Sequence, residues 1–197
     1  MIQYFVILVG VAVFGLQHSG LSTPRVKDWI IDRWGKTGYA QIYKFTSVLA
    51  LLGSFLSMGF WDWFYFIRSP ELVQPALFLL GWGLIALGLV LAARASQVIS
   101  VSTVADMRTD RKPELVTAGI YSRIRHPLYL ATIILLFGMA SVYPFSNVVV
   151  YALLLSAYVL VGTLLEERKL VIQYGQAYQD YREKTGFILP RLRKSEA

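Results

Sequence analysis

Long apolar segments separated by polar ones set the pattern of this chain. Each apolar segment is close to the roughly 20 residues that an α-helix needs to cross the hydrocarbon core of a bilayer. The polar residues between the segments mark the turns and loops. The pattern predicts an all-α integral membrane protein with five transmembrane helices, at 2–21, 42–60, 73–93, 127–143 and 146–165.

The lengths of the polar segments predict how these helices are connected. Only a tight turn separates the fourth helix from the fifth, which predicts an antiparallel hairpin. The third loop, 94–125, is the longest polar stretch, and we expect it to form a cytoplasmic cap together with the tail, 166–197. We therefore expect a single membrane domain, 1–197, in which 1–93 holds the first three helices and 94–197 holds the loop, the hairpin and the tail.

Charge supports this topology. The chain is 56% hydrophobic and 16% charged, with a net charge of +7. From the N-terminus onwards, the successive polar segments hold 0, 5, 1, 6, 0 and 7 lysines and arginines, which accounts for all 19. Because such residues gather in cytoplasmic loops, the N-terminus is predicted outside and the C-terminus in the cytoplasm. The basic charge then reflects contact with the bilayer, and no nucleic-acid partner is expected.

Several kinds of chemistry are excluded by the sequence. There are no cysteines and only two histidines, so thiolate nucleophiles, disulfides and histidine metal clusters are absent and no metal site is predicted. Phosphate-binding, dinucleotide-binding, serine-hydrolase and zinc-protease motifs are absent as well. The sequence leaves the oligomeric state open.

A polar cluster precedes the fourth helix. Pro127 suits the first turn of a helix, where its missing N–H costs nothing. His126 would then lie at the helix entrance, where free backbone N–H groups attract an anion. Arg125 and His126 fit two roles equally well: a polar site, or an anchor at the lipid headgroups.

A second polar cluster follows the fifth helix. A carboxylate at the membrane boundary is costly, so Glu166 and Glu167 are functional candidates. The alternative is a solvated pair balanced by Arg168 and Lys169. Consecutive helical residues point about 100° apart, and the solvated alternative fits Glu167 better than Glu166. His18, near the end of the first helix, is either an interfacial cap or a site residue.

The two clusters and their surroundings resemble a known superfamily. The matching segments are Leu115-Val116-Thr117, Gly119-Ile120-Tyr121, Arg125-His126-Pro127 with Tyr129, Glu166-Glu167, Tyr174-Gly175 with Tyr178 and Tyr181, and Leu189-Pro190. Their order and spacing are similar to the C-terminal half of isoprenylcysteine carboxyl methyltransferases and membrane phospholipid methyltransferases. Leu16-Gln17-His18-Ser19 and Pro24 resemble a narrower branch, the NnrU-like proteins and methanethiol S-methyltransferases.

The resemblance implies a membrane methyltransferase that uses S-adenosylmethionine. His126 and Glu166 are the implied catalytic residues, and His18 and Glu167 are weaker candidates for contact with the methyl acceptor. The implied cofactor-binding residues are Pro113, Glu114, Leu115, Val116, Tyr121, His126, Pro127, Leu128, Tyr129 and Glu166.

One departure from the family pattern bears on the acceptor. Isoprenylcysteine methyltransferases have an arginine about one helical turn before the two glutamates, and it holds the substrate carboxylate. Gly162 occupies that place here. The departure favours an uncharged or thiol acceptor, small or lipid-like. Isoprenylcysteine O-methylation and phospholipid N-methylation are the enzymatic alternatives, and a non-enzymatic NnrU-like accessory protein is the alternative of another class.

Overall fold

A computed structural model describes residues 1–98 and 115–191 of the chain. These residues are almost entirely helical, and the nearest approach to a sheet is one bridge pair between Ile124 and Gly186. The predicted all-α class is confirmed. The helices are α1 (Ile2–Leu21), α2 (Pro24–Ser57), α3 (Tyr65–Arg68), α4 (Pro75–Val98), α5 (Pro127–Val142), α6 (Ser146–Tyr174) and α7 (Gln176–Lys184).

Helix length and apolarity support insertion in a membrane. Among the described residues, α1, α4 and α6 are long and apolar enough to cross a bilayer. The apolar helix α5 has 16 residues and is therefore shorter than a typical span. The structure thus shows an integral membrane protein with three candidate spans.

The second helix begins much earlier than predicted. A loop was expected before residue 42, whereas α2 begins at Pro24 and continues for 34 residues. Val26, Trp29 and Ile30 have helical spacing, and Ile30 is buried, which explains why this polar segment is helical. Gly35 interrupts the helix with φ 70° and ψ 170°, a conformation that favours glycine.

The last long helix extends further than predicted. It was expected to end at residue 165, but α6 continues to Tyr174. Charged residues do not end a helix when apolar residues keep the helical spacing, as Leu170 and Tyr174 do here. Gly175, with φ 57°, separates α6 from α7. The extension places Glu166 and Glu167 within a continuous helix.

The chain divides into two compact units, residues 1–82 with 136–158 and residues 83–135 with 159–197. In the first unit, the Tyr65 hydroxyl is buried and donates a hydrogen bond to the Val142 carbonyl at 2.7 Å. The core of this unit consists of residues from α1, α5, α6 and the segment that follows α2: Ile7, Val11, Met58, Phe60, Leu136, Val148, Tyr151, Ala152 and Leu155.

In the second unit, small residues allow α4 and α5 to approach closely. A Cβ atom at Gly88 would lie 2.7 Å from Leu135 Cγ and 3.2 Å from the Ala131 carbonyl oxygen. The backbones of α4 and α5 therefore approach closely at Gly88.

Candidate active site

The segment before α5 is held in place by the chain that follows α7. The Arg125 amide donates to the Gly186 carbonyl at 2.9 Å, and the His126 amide donates to the Phe187 carbonyl at 3.2 Å. The Gly186 amide donates in return to the Arg123 carbonyl at 3.1 Å. These bonds fix the backbone from which Arg125 and His126 project, and α5 starts directly afterwards at Pro127.

Glu167 lies at the centre of a buried polar network. Its Oε1 atom accepts hydrogen bonds from Arg125 Nε at 2.8 Å and from the Tyr178 hydroxyl at 2.6 Å. His126 Nε2 lies 2.7 Å from the same oxygen. The other oxygen, Oε2, accepts from Arg125 Nη2 at 3.2 Å and lies 3.4 Å from Arg182 Nε. Both carboxylate oxygens are therefore engaged by donors.

Arg125 is equally engaged. Besides its two-point contact with Glu167, its Nη1 atom donates to the backbone carbonyls of Thr185 at 2.6 Å and Arg182 at 3.2 Å. Its guanidinium group also lies over the Phe187 ring at 5.6 Å. The bidentate geometry is the strong form of an arginine–carboxylate pair, so this arginine holds the site together.

Glu166 has a different environment from its neighbour. Its Oε2 atom is buried and has no hydrogen-bond partner among the described residues. His126 Nδ1 lies 4.0 Å from this oxygen, beyond hydrogen-bonding distance. A buried carboxylate oxygen without a partner is costly, so this atom is suited to receive a donor from a ligand.

A cavity of about 190 Å³ lies beside these two residues. Its lining combines one free carboxylate oxygen, an imidazole, an arginine that is already paired with Glu167, four tyrosines and three aliphatic side chains. The lining residues are Leu115, Val116, Tyr121, Arg125, His126, Glu166, Leu170, Tyr174, Tyr178 and Tyr181. Such a mixture suits a ligand with a positive or hydrogen-bond-donating part and an apolar part.

The tyrosines of the cavity are held in their neutral form. Burial raises the pKa of Tyr121 to about 12, and the nearby Tyr181 and Glu166 add to the shift. Burial also raises the pKa of Tyr181 to about 12, despite the neighbouring Arg125 guanidinium. For Tyr178, burial and the hydrogen bond it donates to Glu167 both raise the pKa. All three remain phenols at neutral pH and can donate hydrogen bonds.

The structure brings together part of the predicted site. Leu115, Val116, Tyr121, His126 and Glu166 line the one cavity. Pro127, Leu128 and Tyr129 are not among its lining residues, although the Tyr129 ring lies 5.6 Å from the His126 ring. Pro113 and Glu114 lie outside the described residues.

The expectation that Glu167 is the more solvated glutamate was wrong. The Glu167 side chain is only 11% exposed, whereas the Glu166 side chain is 40% exposed. The phase of α6 explains this, since Val159, Thr163 and Glu167 recur at steps of four and all three are buried. The structural role of Arg125 and of the carbonyls after α7 was not predicted either. The four-residue steps from Leu170 to Tyr174 and Tyr178 were the available signal for the cavity wall.

His18 belongs to the other compact unit. Its Nδ1 atom lies 3.3 Å from Ser47 Oγ, and its Nε2 atom lies 3.0 Å from the Tyr43 hydroxyl. Its neighbour Gln17 donates to Thr46 Oγ1 at 2.8 Å. These contacts form a polar cluster between α1 and α2. They satisfy the histidine within the protein and leave its predicted contact with the acceptor as a prediction.

Fold and site together define an all-helical membrane protein with a polar cavity beside its last long helix. The sequence profile of the phospholipid methyltransferase family matches residues 76–177, which is more than half of the chain. The chain therefore belongs to the phospholipid methyltransferase family, and it is a membrane methyltransferase by that membership.

Curated relatives indicate the branch of the family. The chain is 30% identical over 198 residues to methanethiol S-methyltransferase of Pseudomonas deceptionensis, covering 94% of this chain and 72% of that protein. It is 27% identical over 196 residues to the enzyme of the same name from Pseudomonas sp. strain GM41(2012), covering 94% and 73%. It is 25% identical over 193 residues to the Mycobacterium tuberculosis enzyme of that name, covering 93% of this chain and 76% of that protein. No solved structure matches the chain.

Proposed function

We propose that this protein transfers a methyl group from S-adenosylmethionine to a small thiol or another lipophilic acceptor. The observation that carries the proposal is the free Oε2 atom of Glu166 in a cavity with aromatic walls. The names of the relatives point to the same reaction class.

The residues of the cavity fit this methyl donor. S-adenosylmethionine carries a sulfonium and an ammonium group, and its ribose hydroxyls are hydrogen-bond donors. The free carboxylate oxygen of Glu166 suits any of these groups, and aromatic residues such as Tyr121 and Tyr174 can attract a cation. Leu115, Val116 and Leu170 supply apolar surface. We include Pro113, Glu114 and the segment Pro127–Tyr129 in the proposed cofactor site on the family pattern alone.

The acceptor is proposed to be uncharged or a thiol because the described part of the cavity holds no free cation for a carboxylate. Gly162 lies one helical turn before Glu166 on α6, and a Cβ atom there would meet no atom within 4 Å. Arg125, the one arginine that lines the cavity among the described residues, is already bound to Glu167 and to two carbonyls. An isoprenylcysteine carboxylate would therefore have no cationic partner among these residues.

When bound, the cofactor supplies an electrophilic methyl group on its sulfonium sulfur. The protein must hold donor and acceptor in line and keep water out, which the aromatic and aliphatic side chains of the cavity favour. A thiol acceptor must also lose its proton, since the thiolate is the nucleophile. His126 and Glu166 are the residues of the cavity that can accept this proton.

We further propose five membrane-crossing helices, with the N-terminus outside and the C-terminus in the cytoplasm. The shorter helix α5 and the second half of α2 would supply the two crossings beyond α1, α4 and α6. The charge distribution supports this orientation. It places the cavity on the cytoplasmic side, where S-adenosylmethionine is made.

Calorimetry with S-adenosylmethionine on the detergent-solubilised protein tests the cofactor assignment. We expect wild-type protein to bind, and the His126→Ala and Glu166→Ala variants each to lose measurable binding, because each removes a polar group of the cavity. Glu71→Ala, which removes an exposed carboxylate in the other unit, is the matched control and should bind normally. Unchanged affinity in both site variants would refute the assignment.

A panel of candidate acceptors would identify the group that is methylated. Labelled S-adenosylmethionine is offered with short thiols, phospholipids and prenylcysteines, and the methylated product is measured. We expect label in the thiols. Label in phospholipid or prenylcysteine would favour the enzymatic alternatives. Absence of both binding and transfer would favour an accessory, non-enzymatic role. A His18→Ala variant in the same panel tests the predicted acceptor contact, the loss of which would raise KM for the acceptor.

A further inference from the structure

The position of Glu167 suggests a role that differs from ligand contact. Both of its oxygens are occupied, and its side chain is 11% exposed, so it has no free acceptor to offer a substrate. It acts on the cavity only through its partners. Of these, Arg125 and Tyr178 are donors to Glu167, whereas His126 has a second ring nitrogen that can act elsewhere.

An ionised carboxylate accepts hydrogen bonds and has none to donate. The 2.7 Å contact between His126 Nε2 and Glu167 Oε1 therefore requires a proton on Nε2. In a neutral imidazole the other nitrogen, Nδ1, then carries a lone pair. Two further donors on Glu167, from Arg125 and Tyr178, keep it ionised, so that it can act only as an acceptor toward His126.

The ring of His126 is also fixed in orientation. It is 5% exposed and packs edge-on against Phe187, with centroids 5.3 Å apart, and at a tilt against Tyr129. In this orientation Nδ1 points to the side of Glu166, 4.0 Å from its free Oε2 atom. Two acceptors thus lie side by side on the wall of the cavity without a proton between them.

We propose that Glu167 is a positioning residue that holds His126 in the tautomer protonated at Nε2, so that Nδ1 is the proton acceptor of the site. This deepens the proposed function and rests on it for the reaction. As the S–H bond of the acceptor thiol breaks, its proton passes to Nδ1, and the sulfur electron pair forms the new S–C bond to the methyl carbon. The bond between that carbon and the sulfonium sulfur of the methyl donor would break at the same time, and its electron pair would stay on that sulfur, which leaves as a neutral thioether. The imidazolium that results is stabilised by Glu167 at Nε2 and by Glu166 at Nδ1, as a carboxylate–histidine pair does in other enzymes.

The histidine content of the chain makes the tautomer directly measurable. Only His18 and His126 are present, so protein labelled with ¹⁵N-histidine gives four ring nitrogens, and a His18→Asn variant isolates those of His126. At about pH 9 an ordinary imidazole is neutral. We expect the spectrum to show His126 protonated at Nε2 and unprotonated at Nδ1. A proton on Nδ1 in this protein would overturn the proposal without any further variant.

A variant then tests the cause. In Glu167→Met, which keeps the length of the side chain but removes the acceptor, we expect the proton to move to Nδ1, where Glu166 can accept it. In Tyr178→Phe, which removes one donor from Glu167 but keeps its charge, we expect the wild-type tautomer. Circular dichroism confirms that each variant is folded. A folded Glu167→Met protein with the wild-type tautomer would contradict the role of Glu167.

Binding separates this proposal from the proposed function. We expect Glu167→Met to weaken S-adenosylmethionine binding by about tenfold or more, since a proton on Nδ1 would close off Glu166 Oε2. If wild-type protein does not bind S-adenosylmethionine although Nε2 is protonated, the proposed function fails while the control of the tautomer by Glu167 stands. If wild-type protein binds S-adenosylmethionine normally but His126 is protonated at Nδ1, the control of the tautomer by Glu167 fails while the proposed function stands.

Discussion

At the scale of single residues, two adjacent glutamates on α6 have different surroundings. Glu167 is surrounded by donors, whereas the buried oxygen of Glu166 has none among the described residues. A carboxylate saturated by donors stabilises the fold locally, whereas a carboxylate with a free buried oxygen costs folding energy until a ligand supplies the missing donor. The neighbouring positions therefore divide the work between building the cavity and receiving a ligand.

We expect the space beside Gly162 to receive the acceptor, so that the size of the side chain at this position limits the size of the acceptor. It lies one turn before Glu166 and faces open space. We predict that Gly162→Leu fills this space and raises KM for the acceptor by roughly tenfold. Cofactor affinity should stay within about threefold, and the added helix propensity should not lower stability. Steady-state kinetics and calorimetry measure the two effects.

Gly53→Leu is the matched control for this prediction. Gly53 is also a helical glycine at which an added Cβ atom would meet no atom within 4 Å, but it lies on α2 in the other unit. The same side chain is thus added at a comparable helical position far along the chain from Glu166. Equal KM values in the two variants would show that the space beside Gly162 does not receive the acceptor.

At the scale of helices, the packing of α4 on α5 gives a stability prediction. A Cβ atom at Gly88 would lie 2.7 Å from Leu135 Cγ, which is too close for an undistorted contact. We expect Gly88→Ala to destabilise the protein by about 1–3 kcal/mol through overpacking. Thermal unfolding in detergent measures the change.

The same helix offers the control. Gly83 lies on α4, and an added Cβ atom there would meet no atom within 4 Å, so Gly83→Ala should leave stability unchanged or slightly raise it. Adding Leu135→Ala to Gly88→Ala should recover part of the loss if the leucine is the group that clashes. Equal unfolding temperatures for Gly83→Ala and Gly88→Ala would contradict the close approach of α4 and α5.

At the scale of the whole molecule, hydrophobic pattern predicted the class of fold better than the limits of its elements. Apolar runs marked α1, α4 and α6, because each run is itself the feature that the bilayer requires. The extra length of α2 and α6 was missed because charged residues at 25–36 and 166–169 were taken as loops. Whether such a segment is helical depends on the helical spacing of its apolar residues rather than on its polarity.

The candidate site shows the same limit. Residues that share a local motif, such as Tyr121, His126 and Glu166, could be proposed as one site from the sequence. The contact of Arg125 and His126 with Gly186 and Phe187 could not, since backbone hydrogen bonds about 60 residues apart leave no local pattern. The buried position of Glu167 depends on the phase of α6, which the spacing of Val159 and Thr163 reveals only once their burial is known.

The absence of cysteine allows the proposed topology to be tested on an otherwise unmodified chain. Ser146, the first residue of α6, and Ser122, before α5, are both exposed, and each can be replaced by cysteine with little change in size. The charge distribution places Ser146 outside and Ser122 in the cytoplasm. We predict that a membrane-impermeant maleimide labels Ser146→Cys in intact cells, and Ser122→Cys only after the cells are lysed. The cysteine-free protein provides the background. Labelling of Ser122→Cys in intact cells would show that the orientation is the reverse of the proposed one, with the cavity on the side away from S-adenosylmethionine synthesis.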